Sequence, residues 1–205
     1  MLMIFLVNFI VFFFGLSVGS FLNCVLYRLD LTNFSFWKKL GGLNRSHCPS
    51  CNHVLAWYDL IPLVSFFLLG AKCRYCHKKI SWQYPIIEIS TALIFLLIFN
   101  QNTYLFEITT RASVQIFNLS TLVFSLLNLF FLFYLASSLI VIFVYDLKHY
   151  IIPDVILFPA IAVALFYRII DNLFNFVPLS NYLFAALITA GFFLAIYLIS
   201  KGKWL

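Results

Sequence analysis

The sequence predicts an all-α polytopic membrane protein, with about five transmembrane helices and one cytoplasmic loop built on four cysteines. Three observations carry that reading. Of the 205 residues, 64% are hydrophobic, 20% aromatic and only 10% charged, with a mean hydropathy of +1.03. No soluble domain of this length can hide so much apolar surface. The formal net charge of +6 would by itself suggest a nucleic-acid partner. Yet eight of the thirteen Lys and Arg lie between Arg28 and Lys79. That clustering marks a cytoplasmic loop under the positive-inside rule, so no nucleic acid is expected and the partner is the lipid bilayer. Finally, Cys48-Pro49-Ser50-Cys51 and Cys73-Arg74-Tyr75-Cys76 form two Cys-x-x-Cys knuckles separated by 21 residues.

Residues 1–26 are the first span. A secretory signal peptide would carry positive charge before its apolar run, whereas the first cation here is Arg28, after it. The N-terminus is therefore expected outside. Gly15, Gly19, Ser20 and Asn23 make a small, polar stripe that fits close helix packing in lipid. Cys24 is expected to be a packed thiol.

Residues 27–84 are the polar loop. Two knuckles present four thiolates, enough to close a tetrahedral site, so Cys48, Cys51, Cys73 and Cys76 are the expected ligands of a structural Zn2+. The alternatives are two disulfides or four reduced thiols. His47, His53 and His77 flank the cysteines, but four sulfurs already fill a zinc shell. A loop with so little core takes much of its folding energy from the metal. Between the knuckles, residues 57–67 are apolar but too short to span, and they carry Pro62 and Asp59. An interfacial or re-entrant segment is expected there, with its aromatics at headgroup depth.

Residues 85–205 are the bundle. A second span covers 85–99, with Pro85 at its start and Glu88 one turn in, where a carboxylate meets either the interface or a functional cavity. An outer loop at 100–118 contains Glu107 and Arg111. Further spans are expected at 119–145, 155–170 and 182–200. An inner turn at 146–154 and an outer turn at 168–181 join them, and Lys201 and Lys203 lie inside. No internal repeat or low-complexity linker is evident.

The chemistry concentrates in the inner turn, Asp146 to Asp154. Asp146 ends a long apolar span at the membrane boundary. Partial desolvation there favours the neutral acid and suits a carboxylate to acid–base work; the plain alternative is an interfacial Asp ending a helix. Asp154 follows Pro153 and reads as a helix N-cap.

These motifs, in this order, resemble the prepilin peptidases (type IV leader peptidases), membrane aspartic proteases of bacterial pilus, type II secretion and competence systems. The resemblance runs through Gly19-Ser20-Phe21-Leu22-Asn23-Cys24-Val25 and Tyr27-Arg28-Leu29. It continues through the first knuckle, Trp57-Tyr58-Asp59, Ile61-Pro62-Leu63, Ser65-Phe66 and the second knuckle. Ile80-Ser81, Tyr84-Pro85, Glu88, Asp146 and Ile152-Pro153-Asp154 complete it. It implies cleavage of prepilin and pseudopilin leaders after a Gly at the cytoplasmic face of the plasma (inner) membrane, with Asp146 catalytic. It also implies N-methylation of the new terminus from S-adenosylmethionine in many members, with Glu88 the candidate for cofactor interaction.

One departure matters. The family's second catalytic aspartate lies in a Gly-x-Gly-Asp motif, and the sequence stops at Lys203-Trp204-Leu205 without one. Aspartic proteolysis takes two carboxylates that share a proton. Asp154 lies eight residues from Asp146, about 12 Å on a helix, too far to share one. The expectation is a C-terminally truncated peptidase, impaired unless a second polypeptide supplies the missing group. A non-catalytic membrane protein that binds prepilins or assembly components through its metal loop is the alternative. A transporter-like bundle is disfavoured, because no span carries an ionisable relay.

Overall fold

A computed structural model describes residues 2–30, 46–112, 119–175 and 179–200. The loop stretch 31–45, the outer-loop residues 113–118, the outer-turn residues 176–178 and the closing Lys201 and Lys203 lie outside the described residues.

The architecture is helical throughout: α1 (Leu2–Asp30), a short 3-10 turn (Trp57–Leu60), α2 (Val64–Leu68), α3 (Gln83–Ala112), α4 (Leu119–His149), α5 (Asp154–Asn175) and α6 (Leu179–Ser200). Among the described residues, three stretches are long and apolar enough to cross a membrane: Phe5–Asp30, Gln83–Asn102 and Val123–His149. The stretch Ser180–Ile196 adds a shorter apolar helix. This is the helical, multi-pass architecture that the composition predicts.

The helices run further than expected. The outer loop expected from residue 100 is helix as far as Ala112, so Glu107 and Arg111 belong to α3. α4 continues to His149 and α5 to Asn175. Polar residues mark where the apolar layer ends, not where backbone hydrogen bonding ends. Residues 100–112 contain no Pro or Gly to stop the helix. Pro85 is the third residue of α3, within the first turn, where its missing N–H costs nothing. Asp154 is the first residue of α5 rather than its cap. The Pro153 carbonyl accepts from the N–H groups of Ile156 and Leu157 at 3.0 and 3.1 Å, which puts Pro153 at the cap position.

Residues 1–160 and 161–205 form two compact units. In the first, α1 lies against α3 along the small-residue stripe. A Cβ on Gly15 would meet the Ala92 Cα at 2.6 Å, and one on Gly19 the Glu88 Cα at 2.7 Å. Only glycine lets the two backbones approach so closely. Phe95 of α3 stacks on Phe133 of α4 with ring centroids 4.1 Å apart, and Phe14 of α1 closes the cluster at 5.9 Å from Phe95. Nearer the loop, Leu22, Val25, Leu26, Leu29, Ile87 and Val141 form the core, with Tyr145 and Ile156 packed against it. In the second unit, Arg168 bonds Asp171 and the Tyr182 hydroxyl, and its guanidinium lies 4.3 Å from the Tyr182 ring centre.

Candidate functional site

The two knuckles have the same local design. Cys48 and Cys73 each donate through the backbone N–H to a carbonyl five residues on, His53 and Lys78, at 3.0 and 2.9 Å. Each also accepts from the residue four on, Asn52 and His77, at 2.9 and 3.0 Å. Asn52 and His77 both take the left-handed conformation, with φ of 55 and 57, which turns the chain back after the second cysteine. The antiparallel bridges His47–Val54 and Lys72–Lys79 close the two turns at their bases.

The knuckles meet. The four Sγ atoms of Cys48, Cys51, Cys73 and Cys76 all lie within 4.8 Å of one another, with Cys48 and Cys76 at 3.8 Å. Four sulfurs around one tetrahedral zinc, each at about 2.3 Å, stand about 3.8 Å apart. The donor set and spacing fit one metal ion, and all four cysteines are free thiols rather than disulfides. Cys48 and Cys73 are buried, Cys76 half-buried and Cys51 exposed. Burial opposes ionising Cys48, but hydrogen bonds from the backbone of Ser50 and Cys51 and from neighbouring thiols outweigh it and draw its pKa down to about 6. The backbone at Lys78 favours ionising Cys76, yet burial and hydrogen bonding with the other three sulfurs push it up to about 11. The flanking histidines stay out of the sulfur cluster. His53 stacks on Tyr75 at 3.7 Å and His47 meets Tyr27 edge-on at 5.9 Å.

Asp59 ties the segment between the knuckles to the second one. Its carboxylate, 3% exposed, accepts from Arg74 Nε at 2.8 Å, the Tyr75 hydroxyl at 3.3 Å and the Ala56 N–H at 3.3 Å.

Glu88 is buried on α3, where its carboxylate receives the Leu63 N–H at 2.8 Å and hydrogen-bonds the Ser20 side chain. Asn23 donates to the Tyr84 carbonyl at 3.1 Å, while its buried Oδ1 has no partner. Glu88, Asn23, Ser20, Cys24, Tyr27 and Tyr84 share the wall of a cavity of about 870 Å³ with Cys48, Cys73 and Lys148. Cys24 is thus half-buried at a cavity wall rather than packed in a core.

Asp146 lies in the last turn of α4, with its side chain exposed. The described residues do not bury it, in contrast to the partial desolvation that its place at the end of an apolar span suggested. Tyr145 before it is anchored in the core, and the Tyr150 N–H donates to the Asp146 carbonyl at 2.8 Å. Tyr150 then turns left-handed (φ 55) and ends the helix. Asp30, at the end of α1, reaches across to this corner. Its oxygens lie 2.9 Å from His149 Nε2 and 3.3 Å from Lys148 Nζ. Sequence reasoning missed Asp30, since nothing local marks an acidic residue as the partner of residues about 120 positions away. Glu88 and Lys148 line the cavity and Asp146 does not.

Comparison with known proteins places these segments in a family. The bacterial peptidase A24 N-terminal domain matches residues 13–102, the part with α1, the knuckles and the start of α3. The type IV leader peptidase family model matches residues 133–202, which include Asp146. A prepilin leader peptidase/N-methyltransferase of Vibrio cholerae is 35% identical over 156 residues, 75% of this chain and 53% of its own length. One of Pseudomonas aeruginosa is 33% identical over 190 residues, 84% of this chain and 57% of its own. One of Myxococcus xanthus is 49% identical over 84 residues, 41% of this chain and 23% of its own. The chain therefore spans little more than half the length of the Vibrio and Pseudomonas relatives and less of the Myxococcus one. No solved structure matches it. The two family matches fall in chain order, on the four-cysteine loop with its flanking helices and on the helix corner that presents Asp146, and the chain belongs to the type IV leader peptidase family.

Proposed function

We propose that this chain acts in prepilin processing at the inner membrane, as an aspartic endopeptidase that removes the leader from type IV prepilins and pseudopilins. The loop faces the cytoplasm in this reading, which the cluster of cations supports. The observation that carries it is Asp146: an exposed carboxylate at the end of a membrane-length helix, on a corner fixed by Tyr145, Tyr150 and the contacts of Asp30 with Lys148 and His149. In the two-carboxylate mechanism one group takes a proton from the attacking water, and the other protonates the carbonyl oxygen or the leaving amine. Asp146 supplies one of the two, and the family pattern puts the other in a Gly-x-Gly-Asp segment.

The four cysteines would hold a structural zinc ion that fixes the loop beside this corner. The relatives' names pair the peptidase with an N-methyltransferase. Methyl transfer to the freed amine would use S-adenosylmethionine. The cavity beside Glu88 and Asn23, with one buried oxygen unpartnered, has the volume and polarity to receive such a donor.

The test is co-expression with a prepilin, reading leader cleavage by gel shift and the new N-terminus by mass spectrometry. The 205-residue chain and the chain extended by a Gly-x-Gly-Asp segment are compared, each with Asp146→Asn. Cleavage in either form, lost in its Asp146→Asn variant, is expected. Cleavage that survives Asp146→Asn overturns the assignment. Stable prepilin capture with no cleavage in either form favours a binding protein instead.

A further inference from the structure

The segment between the knuckles makes an uncommon turn. The Val64 N–H donates to the Pro62 carbonyl at 2.6 Å, and Leu63 between them has φ 58 and ψ −48. This is a γ-turn of the rare, strained hand, and a leucine adopts it only when its surroundings insist. The constraint is Glu88, which holds the Leu63 N–H at 2.8 Å. Glu88 is five residues past Gln83, the start of a stretch long and apolar enough to cross a membrane. At 1.5 Å per residue it lies about 7.5 Å along that helix. The turn is therefore pinned level with the inside of the spanning stretch, not above its end.

The side chains around the turn suit that depth. Trp57 is 77% exposed and Leu68 82%, and Leu60, Val64 and Phe67 are exposed beside them. Phe66 points the other way and packs edge-on to Trp82 at 5.1 Å. Trp82 immediately precedes α3, on which Ile86 and Ile89 are also exposed. The one charged residue from Trp57 to Leu68 is Asp59, and Arg74 neutralises it. A short segment with exposed Trp, Tyr, Phe and Leu side chains and no unpaired charge is what the headgroup and upper acyl layer accepts.

We propose that residues 57–68 are seated in the bilayer, with lipid covering the Trp57, Phe67 and Leu68 face. In this arrangement the Leu63–Glu88 bond sets the depth, and the metal loop is docked on the membrane from which α1 and α3 emerge. The seat is independent of the proteolytic reading and holds for a non-catalytic chain as well.

The test uses the full chain in phosphatidylcholine nanodiscs, with Trp37→Phe, Trp82→Phe and Trp204→Phe leaving Trp57 as the only indole. Lipids brominated at the 6,7 or the 11,12 acyl positions serve as quenchers. The expected result is blue-shifted Trp57 emission, quenched at least twofold by the 6,7 lipid and less by the 11,12 lipid. Glu88→Ala should reduce the quenching. Water-like emission with no bromolipid quenching overturns the proposal. So does blue-shifted emission without such quenching, which would mean that a protein surface covers the face. Zinc content is measured on every sample. If the single-indole chain has lost its metal, the same quenching is read as the difference between the parent and Trp57→Phe, and no difference overturns the proposal.

Discussion

Asp30 Oδ1 stands 2.9 Å from His149 Nε2, joining the end of α1 to the end of α4 three residues beyond Asp146. The same carboxylate reaches Lys148. All three side chains are about one-third exposed, and exposed ion pairs contribute roughly 0.2–1 kcal/mol. Under the proposed function their value lies in placing Asp146 rather than in stability. Asp30→Asn is therefore expected to leave the unfolding midpoint within a few degrees of the parent and, in whichever form cleaves leaders under the proposed function, to lower kcat several-fold. His149→Gln should do the same, and the double variant should be little worse than either single one. Additive losses would show that the two residues act separately.

The α1–α3 contact makes a sharper stability prediction. Gly19→Ala would put a methyl 2.7 Å from the Glu88 Cα and 3.1 Å from the Ile87 carbonyl, and Gly15→Ala would meet the Ala92 Cα at 2.6 Å. These neighbours are backbone and cannot swing aside, so the helices must part. Overpacking of this kind costs about 1–3 kcal/mol. Gly191→Ala is the control: nothing lies within 4 Å of its Cβ, and it should stay within about 1 kcal/mol of the parent. Thermal unfolding in one detergent, run on all three, decides it. Equal stabilities would mean the helices are not in contact as described.

What the sequence made legible follows physical range. The cysteine knuckles and the apolar spans are local patterns. The knuckles stand where their spacing puts them, and each expected span lies in a helix. Among the described residues, however, only the first three reach membrane length, the last is a shorter apolar helix and 155–170 is not apolar enough to count. The Gly15–Gly19 stripe was also readable, because four-residue spacing places both on one helix face. Helix ends were not, since hydropathy senses the lipid boundary while α3 and α4 run past it on backbone hydrogen bonds. Asp30 against His149, and Leu63 against Glu88, were not readable either. Each joins distant residues through a polar contact that leaves no periodic trace. Glu88 stood out only as a charge in an apolar run, which does not say what it touches.

The metal loop predicts its own dependence. With two backbone-closed knuckles and little apolar core, it should keep one zinc per chain through purification. Metal analysis returning under half an equivalent would contradict the site. Cys73→Ser, at a buried sulfur, should abolish binding. Cys51→Ser, at the exposed corner, should weaken it and leave a site that chelators strip readily. Chelation should make residues 46–81 protease-sensitive while far-ultraviolet dichroism, dominated by α1 and α3–α6, changes little.

The strained turn at Leu63 gives the last prediction. A positive φ at a leucine costs on the order of 1–3 kcal/mol, and the bond to Glu88 offsets it. Glu88→Gln keeps an acceptor oxygen and should hold the turn. Glu88→Ala leaves the Leu63 N–H without its carboxylate, in a half-buried position where a lost partner costs about 1–3 kcal/mol. The turn should then relax toward negative φ. Leu63→Gly removes the strain at its source, because glycine accepts positive φ freely. In a Glu88→Ala background it should therefore restore part of the protection lost. Hydrogen exchange at residues 61–65 reads this directly: fast in Glu88→Ala, slow in Glu88→Gln, intermediate in Glu88→Ala with Leu63→Gly. If Glu88→Ala exchanges as slowly as the parent, the carboxylate is not what holds the turn.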